Sequence, residues 1–160
     1  MSSNIRAVPN VVGADVSVRW QPSKHFSADA NINYAHARSI EDPKGENYIP
    51  LAPTFTSTGG VNYQHNSWNA SIRYRYLANR AATEDYSITA KGYFVTDASI
   101  SYAFRKFEIG TVIENLFNTE WNETQFETES QLQGETSSVT EIHFTPGTPF
   151  NFRTILSYKF

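Results

Sequence analysis

Residues Phe150 to Phe160 read Phe-Asn-Phe-Arg-Thr-Ile-Leu-Ser-Tyr-Lys-Phe, and this stretch decides the fold. Side chains of an extended chain alternate between two faces. Phe150, Phe152, Thr154, Leu156, Tyr158 and Phe160 therefore share one face, and Asn151, Arg153, Ile155, Ser157 and Lys159 share the other. One face suits hydrocarbon and the other suits water. A strand of about ten residues with an aromatic group at each end and one polar face is the repeating unit of a transmembrane β-barrel.

The same alternation recurs upstream. Val12, Ala14, Val16, Val18 and Trp20 oppose Gly13, Asp15, Ser17 and Arg19; Phe26, Ala28, Ala30, Ile32 and Tyr34 oppose Ser27, Asp29, Asn31 and Asn33. Between about Thr54 and Gln64, Phe55, Val61 and Tyr63 oppose Thr56, Thr58 and Asn62, and the Gly59-Gly60 pair signals a kink or a close approach. Trp68, Ala70, Ile72, Tyr74 and Tyr76 oppose Asn69, Ser71, Arg73 and Arg75. An arginine near the lipid midplane costs about 2–4 kcal/mol, so the face carrying Arg73 and Arg75 turns away from lipid. Phe94, Thr96, Ala98, Ile100, Tyr102 and Phe104 oppose Asp97, Ser99 and Ser101. Phe107, Ile109, Thr111 and Ile113 oppose Glu108, Gly110 and Glu114, and blurred alternation over Glu114-Asn115-Leu116-Phe117 predicts a β-bulge.

The connections alternate in length. Short ones at 21–24 (where Pro22 presets φ for a turn), 65–66 and 105–106 alternate with long ones at 38–53, 78–92 and 119–149. All long links therefore gather at one end of the sheet, as in outer-membrane barrels. Trp20, Phe26, Tyr63, Trp68, Phe104, Phe107 and Phe160 flank the short turns, while Tyr34, Phe55, Tyr76, Phe94, Phe117 and Phe150 flank the long links. Two interfacial girdles have this form.

Composition is consistent with such a barrel. A mean hydropathy of −0.47 is compatible with it because only alternate residues meet lipid and no run of about twenty apolar residues is required. The formal charge of −3 argues against a nucleic-acid partner, and the lack of Cys removes disulfides, thiol nucleophiles and thiolate metal sites. Residues Met1 to Pro9 lack the apolar core of a secretory signal, so an exported barrel implies a removed signal or a longer chain. The four His lie on turns and a strand end without ligand spacing, and no Ser-His-Asp or paired-carboxylate set is present. The expectation is therefore no enzyme, no cofactor and no metal site. The link 119–149 carries Glu120, Glu123, Glu127, Glu129, Glu135 and Glu141 without Lys or Arg. It reads as a solvated loop, with a metal or cationic ligand at His143 beside Glu141 as the alternative.

Glu114-Asn115-Leu116-Phe117-Asn118-Thr119-Glu120-Trp121, followed by Pro146-Gly147-Thr148-Pro149 and the terminal strand, resembles the C-terminal end of a TonB-dependent outer-membrane receptor. In that family the penultimate strand ends in Asn-Leu-Phe-Asn/Asp ahead of an aromatic residue, and the last strand follows a Gly-x-Pro element and ends in Phe. Val12-Gly13-Ala14-Asp15, Ile49-Pro50-Leu51-Ala52-Pro53 and Tyr93-Phe94-Val95-Thr96-Asp97-Ala98 extend the resemblance over nearly the whole chain.

The resemblance implies an all-β fragment: about seven antiparallel strands, residues 1–160, forming the C-terminal portion of a twenty-two-strand barrel. The plug domain and signal peptide are expected outside this stretch, and two open strand edges are expected within it. For the whole receptor it implies import of a scarce small-molecule ligand across the bacterial outer membrane, iron–siderophore chelates being favoured over glycans. The extracellular loops capture the ligand, and TonB, contacting a region N-terminal to this chain, drives plug rearrangement. This stretch supplies wall and loops but not the coupling. Implied partners are outer-membrane lipid, the remainder of the barrel, the plug, TonB, the ligand and the barrel-assembly machinery. Phe160, Tyr158, Leu156 and Phe152 resemble the signal read by that machinery.

Asp15, Arg19, Asp29, Arg73, Arg75, Asp97, Glu108, Glu114, Arg153 and Lys159 form the expected lumen-facing charged set. They line a passage or contact a plug, or else pair across strands along a wet wall. Two other architectures fit the periodicity. One is a self-contained eight-stranded outer-membrane barrel with a structural or adhesion role, using residues 3–9 as an extra strand. The other is a soluble calycin-like ligand-binding barrel with its apolar face inward.

Overall fold

The computed structural model describes residues 9–131, 133–134 and 137–160. Apart from Pro9, the extra strand expected at residues 3–9 lies outside the described residues, as does Glu135. Eleven strands follow one another: β1 (Pro9–Ser23), β2 (Phe26–Ser39), β3 (Phe55–His65), β4 (Trp68–Leu77), β5 (Arg80–Ala81), β6 (Thr89–Ala90), β7 (Tyr93–Phe104), β8 (Phe107–Glu114), β9 (Asn122–Ser130), β10 (Val139–Pro146) and β11 (Asn151–Tyr158). Seven of them form one sheet in the order β1-β2-β3-β4-β7-β8-β11. Every neighbouring pair is antiparallel. The barrel is not closed, and β1 and β11 are the two edges.

The register carries the alternation from strand to strand. Val16 lies opposite Ile32, Tyr63 opposite Ala70, Ile72 opposite Ala98 and Leu156 opposite Ile109, so the apolar face is continuous. That face is open to its surroundings, with Trp20 59% and Leu156 70% exposed, and a continuous exposed apolar face of this kind marks a contact surface. The opposite face holds a cleft of ≈ 480 Å³ lined from five adjacent strands by residues that include Asn62, Ser71, Ser99, Glu108 and Ser157. The sheet is thus hollow on its polar side, the reverse of what a calycin-like barrel needs.

Aromatic rings gather at both ends of the strands. At the short-turn end, ring centroids of Trp68 and Tyr102 are 4.6 Å apart and those of Phe107 and Tyr158 are 4.9 Å apart. At the long-loop end, Phe55 and Tyr76 are 5.8 Å apart and Tyr74 and Phe94 are 5.6 Å apart.

Three sequence-based expectations are corrected. Residues 21–24 are not the first turn: β1 continues through Pro22 to Ser23, and the turn is Lys24-His25. The ladder shifts between Trp20 and Ser23, and a bulge on an edge strand accommodates a proline that has no N–H to donate. Glu114-Asn115-Leu116-Phe117 is a strand end and not a bulge within a continuing ladder: β8 stops at Glu114, Asn115 turns the chain with φ of 51°, and the Leu116 N–H donates to the Thr96 carbonyl of β7 at 2.7 Å, one residue out of register. The links at 78–92 and 119–149 are not plain loops, because the first contains the β5–β6 ladder and the second the β9–β10 hairpin.

Gly59 and Gly60 mark close approach, one on each face. A Cβ on Gly60 would collide with the Ile72 carbonyl oxygen and lie 2.8 Å from Arg73 Cδ. One on Gly59 would lie 3.0 Å from the Tyr74 ring, whose hydroxyl is 2.9 Å from the Ser57 hydroxyl. Consecutive β4 side chains thus lie across consecutive glycines. Gly60→Ala is expected to lower stability by about 1–3 kcal/mol in urea unfolding of the detergent-folded barrel. The penalty shrinks in an Arg73→Ala background, because the overlying side chain is then gone.

Candidate functional site

The polar face carries a row of alternating charge. Arg19 lies opposite Asp29, Asp29 opposite Gly60, Gly60 opposite Arg73 and Arg73 opposite Asp97. Because Gly60 has no side chain, Arg73 reaches over β3 and donates to both Asp29 oxygens, at 2.6 and 3.0 Å. Arg75 Nη2 donates to Asp97 Oδ2 at 3.3 Å, while Asp97 Oδ1 accepts the Asn115 N–H at 2.9 Å.

The remaining charges expected in this set share the face by register. Asp15 accepts from Asn33 Nδ2, and Glu114 accepts from Asn151 Nδ2 at 3.3 Å. Glu108 lies opposite Ser157 and lines the cleft; Arg153 lies opposite Val112. Lys159 follows β11, where its N–H donates to the Lys106 carbonyl at 2.8 Å. Among the described residues two pairs on this face are ion pairs, Arg73–Asp29 and Arg75–Asp97, while Asp15 and Glu114 are held by neutral Asn side chains and Glu108 and Arg153 lie opposite uncharged residues.

At the long-loop end the connections interlock. The β5–β6 ladder holds the centre: the Leu51 N–H donates to the Ala81 carbonyl at 2.8 Å, and the Tyr48 N–H to the Glu84 carbonyl at 3.0 Å. Gln125 on β9 ties the hairpin to the same ladder, its amide accepting from the Lys91 N–H at 2.9 Å and donating to the Lys91 carbonyl at 2.7 Å. Ala81, Ala82, Ala90, Val95 and Gln125 are buried here, so the best-packed part of the chain is its loop cluster. Arg38 stacks on Tyr48, 3.9 Å from the ring centroid.

Two titratable groups of this cluster are perturbed. Arg80 is buried, its Nη1 has no hydrogen-bond partner among the described residues, and burial holds its pKa below the usual guanidinium value. Asp85 is held down to about 2, first by the Ser87 backbone N–H and then by the Thr83 and Ser87 hydroxyls. Two clefts open among the loops. One of ≈ 480 Å³ is lined by Lys91, Asn118, Trp121, Gln125 and Phe144, and one of ≈ 420 Å³ by Glu46, Glu84, Asp85 and Glu127. His143, expected beside Glu141 in the acidic link, stacks on Phe126 across the hairpin at 5.9 Å.

The Asn115 to Trp121 segment joins wall to loops. Asn115 is 2% exposed, and its left-handed backbone is one that Asn tolerates better than most residues. Its Oδ1 accepts the Thr119 N–H at 2.8 Å, and its Nδ2 donates to the carbonyls of Thr119 at 2.8 Å and Thr148 at 3.0 Å. Asn118 Oδ1 accepts the Phe150 N–H at 2.9 Å, at the entrance to β11. Trp121 lies directly over Gly147, leaving no room for a Cβ, and its Nε1 donates to the Thr148 carbonyl at 3.1 Å. The two motifs quoted from the sequence are therefore the two halves of one clasp, which binds the exit of β8 to the entry of β11.

Phe152, Leu156 and Tyr158 stand on the apolar face of the edge strand β11, and Phe160 extends fully exposed beyond it. Sequence periodicity gave no sign of the loop interlock or of the contact between His25 and His65, residues 40 apart in sequence.

Comparison with known proteins agrees with this architecture. The family model described as TonB dependent receptor-like, beta-barrel, matches residues 2–116. Among solved structures, the copper transporter OprC superposes with a TM-score of 0.69 at 17% identity, covering 95% of this chain and 24% of that one. The ferric yersiniabactin uptake receptor FyuA from Yersinia pestis gives 0.67 at 16% identity, and the ferric citrate transporter FecA gives 0.69 at 17%, both with the same coverage of 95% and 24%. The chain therefore spans about a quarter of the length of these structures, and at such identities the likeness is one of fold. No curated protein matches the sequence.

Asn115→Ala is expected to cost roughly 2–4 kcal/mol in urea unfolding, because it removes three part-buried hydrogen bonds to the backbone of Thr119 and Thr148 together with the residue suited to a left-handed turn. Asn115→Gly keeps the backbone freedom and isolates the hydrogen bonds. A second expectation concerns pH. Asp85 titrates near 3.8 when unfolded and near 2 when folded, so its contribution is present above about pH 4 and is lost as pH falls toward 2. Hydrogen exchange at the Ser87 amide is expected to accelerate over that window, relative to the amides of β4.

Proposed function

This chain belongs to the TonB-dependent receptor family, and we propose that residues 1–160 form the C-terminal part of such a receptor's barrel, importing a scarce small-molecule ligand. The family's barrels lie in the bacterial outer membrane, and its members are transport receptors, not enzymes. An iron–siderophore chelate is the favoured ligand class. The observation that carries the reading is the interlocked loop cluster at one end of an unclosed sheet, whose three connections share one buried junction.

A cluster held together in this way is preorganised, so binding loses little loop entropy. Ligand captured there meets a polar wall that carries two ion pairs, Arg73–Asp29 and Arg75–Asp97, and passage depends on a plug domain against that face, rearranged by TonB through a region N-terminal to this chain. The free edges of β1 and β11 pair with the remainder of the barrel, because unpaired edge groups are costly in lipid. The apolar face meets outer-membrane lipid, and Phe152, Leu156, Tyr158 and Phe160 on the exposed last strand are offered to the barrel-assembly machinery. The ten charged residues from Asp15 to Lys159 are the lumen side of the wall.

Loss of the receptor carrying this chain is expected to abolish growth on at least one ferric chelate under iron limitation. Deleting residues 123–145 is expected to lower radiolabelled ferric-chelate uptake while the folded, heat-modifiable form persists. Unchanged uptake across a panel of ferric siderophores would refute the iron reading. Expressed alone in detergent, residues 1–160 are expected to give no compact heat-modifiable monomer; such a monomer would favour the self-contained small barrel instead.

A further inference from the structure

We propose that Arg80 is one half of a buried ion pair, and that its guanidinium takes a carboxylate which the described residues do not supply. Arg80 opens β5 at the junction of the loop cluster, opposite Ala90 and beside Ala81 and Ala82, all of them buried. Arg80 itself is only 9% exposed. Its Nη1 is shut off from solvent and has no hydrogen-bond partner among the described residues. The one other buried side-chain atom in that condition there, Ser39 Oγ, bears no charge. Acids of the described chain are engaged elsewhere: the ion pairs are Arg73–Asp29 and Arg75–Asp97. Asp85, on the same connection as Arg80, accepts from the Ser87 N–H and hydroxyl at 3.0 and 2.7 Å.

Burial lowers the pKa of Arg80, yet a guanidinium stays protonated and cannot shed its charge as a buried lysine does. Left bare, that charge destabilises the cluster. A planar carboxylate accepts through the parallel N–H groups of the fork, and the alanine-lined surroundings then strengthen the attraction. One buried cation balances one carboxylate, whereas a phosphate dianion leaves a charge uncompensated. Tyr93 lies close enough to act on the Arg80 charge, and its ring is held against Trp121 with centroids 4.9 Å apart. The sheet is unclosed and the chain spans about a quarter of the structures it resembles, so a side chain of the remaining receptor is one source of the carboxylate. An organic acid from solution is the other. The inference rests on the burial of Arg80 and holds whichever solute the receptor carries.

The test compares full-length receptor with its Arg80→Met and Arg80→Lys variants in detergent micelles, dialysed free of organic acids, by the midpoint of urea unfolding. Removing a guanidinium that has no partner raises the midpoint, whereas removing a paired one strands its carboxylate and lowers it. The expected result is a lower midpoint for Arg80→Met, with Arg80→Lys between, since lysine keeps the charge and loses the fork. Below about pH 4 the gap to wild type is expected to narrow by roughly tenfold in the unfolding equilibrium constant per pH unit, as the carboxylate takes up a proton. Lost packing leaves a gap that does not vary with pH. A gap already present in the dialysed protein assigns the carboxylate to the receptor itself. One that appears only with added malonate, and grows with its concentration, assigns it to an acid from solution. If Arg80→Met does not fold, Arg80→Lys decides alone. The inference is overturned by midpoints at or above wild type in the folded variants with and without malonate, or by a gap of the same size at pH 7 and pH 3.

Discussion

A backbone N–H or C=O facing lipid without a partner costs several kilocalories per mole, and the whole sheet depends on avoiding that cost. Each strand answers it through its neighbours, which is why the chain runs as antiparallel pairs from β1 to β11. Period-two alternation follows from the same geometry, since a paired strand presents one face to each side. Once lipid takes one face, most charged side chains collect on the other, while Thr96, Thr111 and Thr154 stay among the apolar ones. The two sheet edges, β1 and β11, are where the requirement is unmet within this chain.

Charge on the polar face is managed by adjacency. Arg73 reaches Asp29 only because Gly60 leaves the intervening strand bare, so a residue that weakens a strand locally permits an ion pair across it. The Asn115 clasp follows the same logic at the strand exit. Beyond the end of β8 the chain leaves the ladder, and one buried side-chain amide serves three backbone groups there, the amide and carbonyl of Thr119 and the carbonyl of Thr148. Asn is suited to this role twice, by its donors and acceptor and by its tolerance of a left-handed backbone.

Strand positions and facing were largely legible because alternation is local. The seven strands of the main sheet, the length pattern of their connections and the ring of aromatics at each end could be read from neighbouring residues. Errors fell where local signals compete. Pro22 reads as a turn residue, but a bulged edge strand accepts it equally well. Glu114 to Phe117 reads as disturbed alternation, which a bulge and a strand end both produce. The β9–β10 hairpin was hidden because its glutamates and threonines read as solvated loop, whereas its stability comes from cross-strand pairing and from Gln125 reaching Lys91, 34 residues away.

What the sequence determined by itself was which residues share a face, since side-chain period is a property of the extended backbone. The apolar ending Phe150 to Phe160 and the motif around Asn115 carried the family as well. Only the tertiary structure decided which face is hollow, how three separate links become one buried cluster, and that His25 meets His65. Each of these depends on strand register and sheet curvature. Those are set by backbone pairing among segments far apart in the chain, and no local pattern of residues encodes the distance between them.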